Sequence, residues 1–284
     1  MSTVPERRFP ASDDAPKANR KARAGDASFD YGWRYVRQRL PGGEVDFKMV
    51  PLTLEDVLHP RFGDVHVLSD AHGDDCNYLK YVLKDRYHED LSVLVLSDCG
   101  IYWDKPGLKH HSPDLAVIFG VKQRKEWKTF HVKVERVRPA LIVEVTSPKT
   151  KVNDLVRKVT EYARAEVPYY VVVDAEETGN QRCLRLLCYI LGAKGYEKQA
   201  LDQEGRAWLE PVGLWLGVKR DPRTGGDRLA LFDRAGAQIG DYTDQRRARA
   251  EAESRAAVAE ARARAAEERL REFEAKLGRP GPGS

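Results

Sequence analysis

Ala140-Leu141-Ile142-Val143-Glu144-Val145-Thr146, a helical stretch over 150–166, and Tyr169-Tyr170-Val171-Val172-Val173-Asp174 follow one another in the chain. The two apolar runs read as strands. The second is continuous and β-branched, as expected of a central strand buried on both faces. Ser147-Pro148 ends the first strand, and Pro168 closes the helical stretch before the second. Strand, helix, strand in that order is a βαβ unit, which implies a parallel pair. Val152, Leu155, Val156 and Val159 recur at i, i+3, i+4 and i+7, so the helix is predicted to bury that stripe.

The neighbouring segments extend the sheet. Residues 183–191 and 196–201 read as a hairpin turned at Gly192-Ala193-Lys194-Gly195, which adds an antiparallel edge. Residues 91–96 and 114–119 read as further strands, the first ending in the turn signal Ser97-Asp98-Cys99-Gly100. Residues 122–138, rich in Lys, Arg and Glu, read as an exposed excursion. Thr53 with Asp56 three residues later reads as a capped helix start, stopped by Pro60. Residues 74–88 place Leu79, Val82 and Leu83 at helical spacing, with Asp74 as the expected cap. The fold class is therefore α/β, a mixed β-sheet flanked by helices.

The last segment changes character. Ala252, Ala256, Ala259, Ala263, Ala266, Leu270, Phe273 and Leu277 alternate spacings of four and three, a heptad seam in an Ala/Arg/Glu-rich helix. A seam made mostly of Ala buries little, so the expectation is a weak coiled coil and homo-oligomer through 243–278, or a solvated helix held by Glu/Arg pairs. The expected organisation is a disordered tail at 1–28, a folded domain at 29–242, the helix at 243–278 and a disordered end at 279–284.

Composition excludes several classes. The chain has 284 residues, 42% of them hydrophobic. No apolar run approaches the roughly 18–20 residues of a membrane span. The polar N-terminus does not read as a signal peptide, so a cytoplasmic location is expected. Cys76, Cys99, Cys183 and Cys188 form no CxxC pair and read as free thiols. Of the net charge of +4, residues 1–25 hold +3 and residues 243–284 hold +2, which leaves −1 on 26–242. A near-neutral body argues against avid, nonspecific duplex binding.

Two acids stand out against this background. Asp114 follows Pro113 at the head of Leu115-Ala116-Val117-Ile118-Phe119, and Glu144 lies inside the strand at 140–146. An ionised carboxylate in a buried strand is costly unless a cation or donor meets it. Two on successive strands suggest one shared divalent cation. Turn capping by Asp114 and a buried pair of Glu144 with an arginine are the structural alternatives. His110-His111 are adjacent and read as loop histidines, and Asp174 reads as the cap of a following turn.

Pro113 to Val117, Leu141 to Pro148, Lys158 to Tyr162, Val171 to Asp174 and the Gly213-Leu214-Trp215-Leu216-Gly217 region occur in an order that resembles the Uma-type putative restriction endonuclease family. The resemblance runs from about residue 53 to 235. It implies a restriction-endonuclease-like, PD-(D/E)XK fold and Mg²⁺- or Mn²⁺-dependent cleavage of nucleic acid, DNA by expectation. Asp114, Glu144 and the Val145 carbonyl would hold the metal. The superfamily pattern next wants a lysine two residues after the acid, and this chain has Thr146 there. Lys158 is the expected replacement, since it shares a helix line with Lys151 and Tyr162 and a lysine recurs there in the family. His72 and Asp74 are looser candidates from the early helix. The alternative function is an inactive nuclease fold that binds or assembles through its C-terminal helix.

Overall fold

The structure, a computed structural model, describes residues 29–277 apart from 67–68, 124, 148–149, 179–180 and 241. The tails expected at 1–28 and 279–284 lie outside the described residues, as does Pro148.

The described chain opens on a hairpin, β1 (Trp33–Arg39) and β2 (Val45–Pro51). The short helix α1 (Leu54–Leu58) starts in the predicted capping box. Asp56 N–H donates to the Thr53 hydroxyl, and Thr53 N–H donates to the Asp56 carboxylate. Helix α2 (Asp70–Arg86) starts four residues before Asp74, because Ser69 is the cap and its hydroxyl accepts from His72 N–H. Then come β3 (Leu94–Leu96), β4 (Gly100–Tyr102) and β5 (Leu115–Ile118). Part of the expected excursion at 122–138 is folded. There β6 (Thr129–His131) pairs in parallel with β4, the small helix α3 (Val132–Glu135) follows, and Phe130 is buried between them.

The βαβ unit follows. Strand β7 (Pro139–Val145) leads through a π-helical turn at Asn153–Arg157 into α4 (Lys158–Arg164) and then β8 (Tyr169–Thr178). β7 and β8 are parallel, with Leu141 opposite Tyr169. The predicted hairpin is β9 (Gln181–Gly192) and β10 (Gly195–Gln199), turned between Gly192 and Gly195. The central sheet runs β10-β9-β8-β7-β5-β3. A second sheet of β11 (Ala207–Leu209), β12 (Leu214–Arg220), β13 (Asp227–Phe232) and β14 (Gln238–Ile239) is antiparallel throughout.

The period of two along β7 sorts its side chains between two cores. Leu141, Val143 and Val145 pack with Leu79 and Leu83 of α2 and with Leu229 and Leu231 of the second sheet. Ile142 packs with Tyr162 of α4 and with Tyr170 and Val172 of β8. Glu144 belongs to this second row. Helix α2 also finishes an open edge of the second sheet. Fully buried Asp75 accepts from Leu229 N–H at 3.0 Å and pairs with Arg182 at 2.5 Å, and Leu231 N–H donates to the Tyr78 hydroxyl at 2.8 Å.

Two expectations fail here. The helix after β7 buries its predicted stripe only in part: Leu155 and Val159 pack against the core, but Val152 and Val156 are each 61% exposed. Its buried line is Asn153, Asp154, Lys158 and Tyr162. The wide π-helical turn presents that polar line to the sheet, where Glu144 and Tyr170 supply partners. Asp174 caps no turn, because β8 continues to Thr178. It sits buried in mid-strand, paired with Lys151 at 2.9 Å and Arg185 at 2.5 Å.

The last element, α5 (Tyr242–Leu277), is the C-terminal helix read from the heptads. Its side chains from 249 to 273 are all exposed. Among the described residues, no helix is long and apolar enough to cross a membrane.

Removing a buried carboxylate from a pair leaves an uncompensated charge, at a cost of about 3 kcal/mol or more. Asp75→Ala, which also orphans Leu229 N–H, is expected to lower unfolding stability by at least that amount in urea titrations.

Candidate active site

Register brings the two strand acids together. β5 and β7 are antiparallel, and the ladder ends with Leu115 opposite Val143, so Asp114 and Glu144 are the next residues along the two strands. Pro113 has no N–H to give, and its carbonyl accepts from Asp98 N–H at 3.1 Å. Asp114 is held from two sides. One carboxylate oxygen accepts from Val145 N–H at 2.7 Å, and the other lies 3.5 Å from His72 Nε2 on α2.

Glu144 is 2% exposed and occupied on both oxygens. The Tyr162 hydroxyl donates to Oε1 at 2.7 Å, and the Lys158 ammonium lies 3.0 Å from Oε2. Lys158 also meets Asp154 Oδ1 at 2.8 Å, one helical turn back. Asp154 is itself fixed through its carbonyl, which accepts from the Tyr170 hydroxyl at 2.8 Å. Asn153 ties the same turn to α1 by donating to the Leu54 carbonyl at 3.1 Å. Asp114, Glu144, Asp154, Lys158 and His72 all line one cleft of about 930 Å³.

The cleft has more buried negative than positive charge. Burial raises the pKa of Glu144, and Asp114 and Asp154 add to the rise against the pull of Lys158. Burial also raises Asp154, with Asp114 adding to it. Asp114 goes the other way: burial opposes ionisation, but His72, Lys158 and Val145 N–H outweigh it. Burial likewise opposes the charge on Lys158, yet Asp154, Glu144 and Asp114 raise its pKa. His72 is raised by Asp114 and Asp98 against its burial.

Two acids escaped the sequence reading. Asp154 was visible only as an i,i+4 partner of Lys158, a spacing shared by many solvated pairs. Asp98 lines the cleft with φ of 52°, in the left-handed region, and burial together with Asp114 raises its pKa. Its signal was the turn Ser97-Asp98-Cys99-Gly100, which reads equally well as punctuation.

The other expected residues fall into place or outside it. Tyr162 orients Glu144. Val145 lines the cleft, with its N–H committed to Asp114. Thr146 is buried and lies outside the cleft lining: its hydroxyl donates to Asp174 at 3.4 Å and accepts from Ala175 N–H at 3.0 Å. Asp74 lines a different hollow, with Lys219 and Arg223.

A second cluster, His59, His111 and Glu161, has the composition of a metal site. Its hydrogen bonds decide against one. Trp103 Nε1–H can only donate, and it donates to His111 Nδ1 at 2.8 Å. A neutral His111 therefore carries its proton on Nε2, which donates to Glu161 at 2.5 Å. No lone pair remains at Nε2 for a metal. The arrangement is a buried Trp-His-Glu brace between the cleft wall and α4. Burial pushes the His111 pKa down to about 4, so its ring is neutral at pH 7. The unfolded chain takes up that proton near pH 6.5, and this part of the stability is lost as pH falls from there to about 4, a loss of about 3 kcal/mol. Glu161, whose pKa the His111 hydrogen bond lowers, adds a loss of the same sign. Urea titrations between pH 7 and 4 are expected to show this slope in the wild type and a shallower one in His111→Gln.

No curated protein matches the chain. Among solved structures, a "putative nuclease belonging to DUF820" from Anabaena variabilis is similar, with 10% identity, over 62% of this chain and 92% of that one, at a TM-score of 0.38. The model of the Uma2 family, described as putative restriction endonucleases, matches residues 63–221. That span carries Asp98, Asp114, Glu144, Asp154 and Lys158, and the chain belongs to the Uma2 family.

Proposed function

We propose that this chain is a divalent-cation-dependent phosphodiesterase that cleaves DNA. The observation that carries the reading is the gathering of three carboxylates in one open cleft, Glu144 and Asp154 paired to the Lys158 ammonium and Asp114 lining the same cleft. An excess of buried oxygen donors over cations suits a hard divalent ion, Mg²⁺ or Mn²⁺. Asp114 and Glu144 would hold it, with the Val145 carbonyl as a third ligand. Such an ion, when bound, neutralises phosphate charge and lowers the pKa of a coordinated water.

The protein groups supply the rest. Val145 N–H and His72 fix the Asp114 carboxylate, and Tyr162 fixes that of Glu144. Lys158 provides the positive charge that Thr146 cannot, aimed at the cleft from the helix instead of the strand. There it orients the attacking water and stabilises charge on the phosphate oxygens.

A second reading, a non-catalytic assembly module, is favoured by Thr146 in the lysine position and by the exposed Val258, Leu270 and Phe273 on α5. Calorimetric titration with Mn²⁺ separates the two, since the module takes up none. Light scattering of the full chain and of a chain ending at residue 242 tests assembly: an oligomer that becomes monomeric favours the module.

The direct test is incubation with supercoiled, linear and single-stranded DNA in Mg²⁺ or Mn²⁺. Cleavage is expected in the wild type, to be lost in Asp114→Ala and Glu144→Ala, and to fall about 100-fold or more in Lys158→Ala. Cleavage that survives in the double Asp114→Ala, Glu144→Ala variant contradicts the assignment.

A further inference from the structure

The β1–β2 hairpin is attached beside the cleft and otherwise stands in solvent. At its base Trp33 exchanges two backbone hydrogen bonds with Val65, at 2.9 and 2.8 Å, and Val65 lines the cleft. Gly32 permits this approach, since a Cβ there would lie 1.9 Å from the Val65 carbonyl oxygen. Arg34 adds two ion pairs, to Asp56 at 2.5 Å and to Asp64 at 2.9 Å. Beyond this anchor, every side chain from 35 to 49 is exposed.

Opposite residues of an antiparallel pair share a face. Tyr35 lies opposite Met49, Arg37 opposite Phe47 and Arg39 opposite Val45, so one face carries two aromatic rings, two aliphatic side chains and two guanidiniums. It carries no acid, because Asp46 faces the other way with Gln38. Tyr35 is 60% exposed and Phe47 61%. Among the described residues, no carboxylate pairs with Arg37 or Arg39. At the rim of the cleft, Phe62 is a further fully exposed ring.

We infer that this face of the hairpin is a binding arm for single-stranded nucleic acid, which it feeds to the cleft; the inference rests on the nuclease reading. Exposed rings beside unpaired arginines match a strand whose bases are splayed and whose phosphates are charged. Bases inside a duplex offer no faces to Tyr35 and Phe47. A second copy of this chain fits less well, since a two-fold contact would gather four guanidiniums with no acid on either face.

The test is fluorescence anisotropy with a labelled single-stranded oligonucleotide and its duplex, in EDTA to block cleavage. The wild type is expected to bind the single strand more tightly. Tyr35→Ala with Phe47→Ala should weaken binding about tenfold or more. Arg37→Ala with Arg39→Ala should reduce the slope of log affinity against log salt by about 1.4. Thermal unfolding should be unchanged in both, because these side chains touch no core. Wild-type affinity in both variants, tighter duplex binding, or a dimer that dissociates in the aromatic variant without loss of DNA binding each overturns the inference. Failure of the nuclease reading looks different: the hairpin variants lose binding, but wild-type protein does not cleave. Cleavage that depends on Asp114 and Glu144 while the hairpin variants bind normally sinks the arm alone.

Discussion

Lys158, a residue only 8% exposed, carries the charge around which the cleft is built. An isolated buried lysine gives up its proton, and an isolated buried glutamate takes one. Here Lys158 is held charged by Asp154 and Glu144, and Glu144 needs Lys158 and Tyr162 to be tolerated in its strand. Neither partner stands without the other. The compensation is incomplete, since the pKa of Glu144 remains raised by burial and by Asp114 and Asp154. The residual negative potential is what the proposed divalent cation would offset.

The fold serves this pairing. Parallel β7 and β8 require a crossover, and the crossover helix is the element that delivers Asp154, Lys158 and Tyr162 over the Glu144 row. The antiparallel neighbour β5 supplies Asp114 from the other side, and α2 supplies His72. Four separate segments thus meet at one end of the sheet. The Trp103-His111-Glu161 brace holds α4 beside Tyr162, against whose ring both Trp103 and His111 pack.

Much of this was legible in the residues. An acid in the middle of Leu141-Ile142-Val143-Glu144-Val145 asks for a partner, and Pro113-Asp114 stands at the head of the strand beside it. The βαβ order, the hairpin at Gly192–Gly195 and the capping box at Thr53 follow from local rules and hold in three dimensions. The orientation of the crossover helix was not legible. Its apolar stripe at Val152, Leu155, Val156 and Val159 has the spacing of a buried face, and nothing local shows that the π-helical turn leaves Val152 and Val156 in solvent and buries the polar line. Asp98 and Asp154 were hidden for the same reason: their importance comes from where the chain brings them, and both look ordinary in their own segments.

A crystal of the wild-type protein soaked in Mn²⁺ and measured at the manganese absorption edge shows whether a cation sits between the two acids. An anomalous peak in contact with both the Asp114 and Glu144 carboxylates is expected. A saturating soak that leaves no peak there, with Lys158 still bridging Glu144 and Asp154, contradicts a cation shared by the two acids.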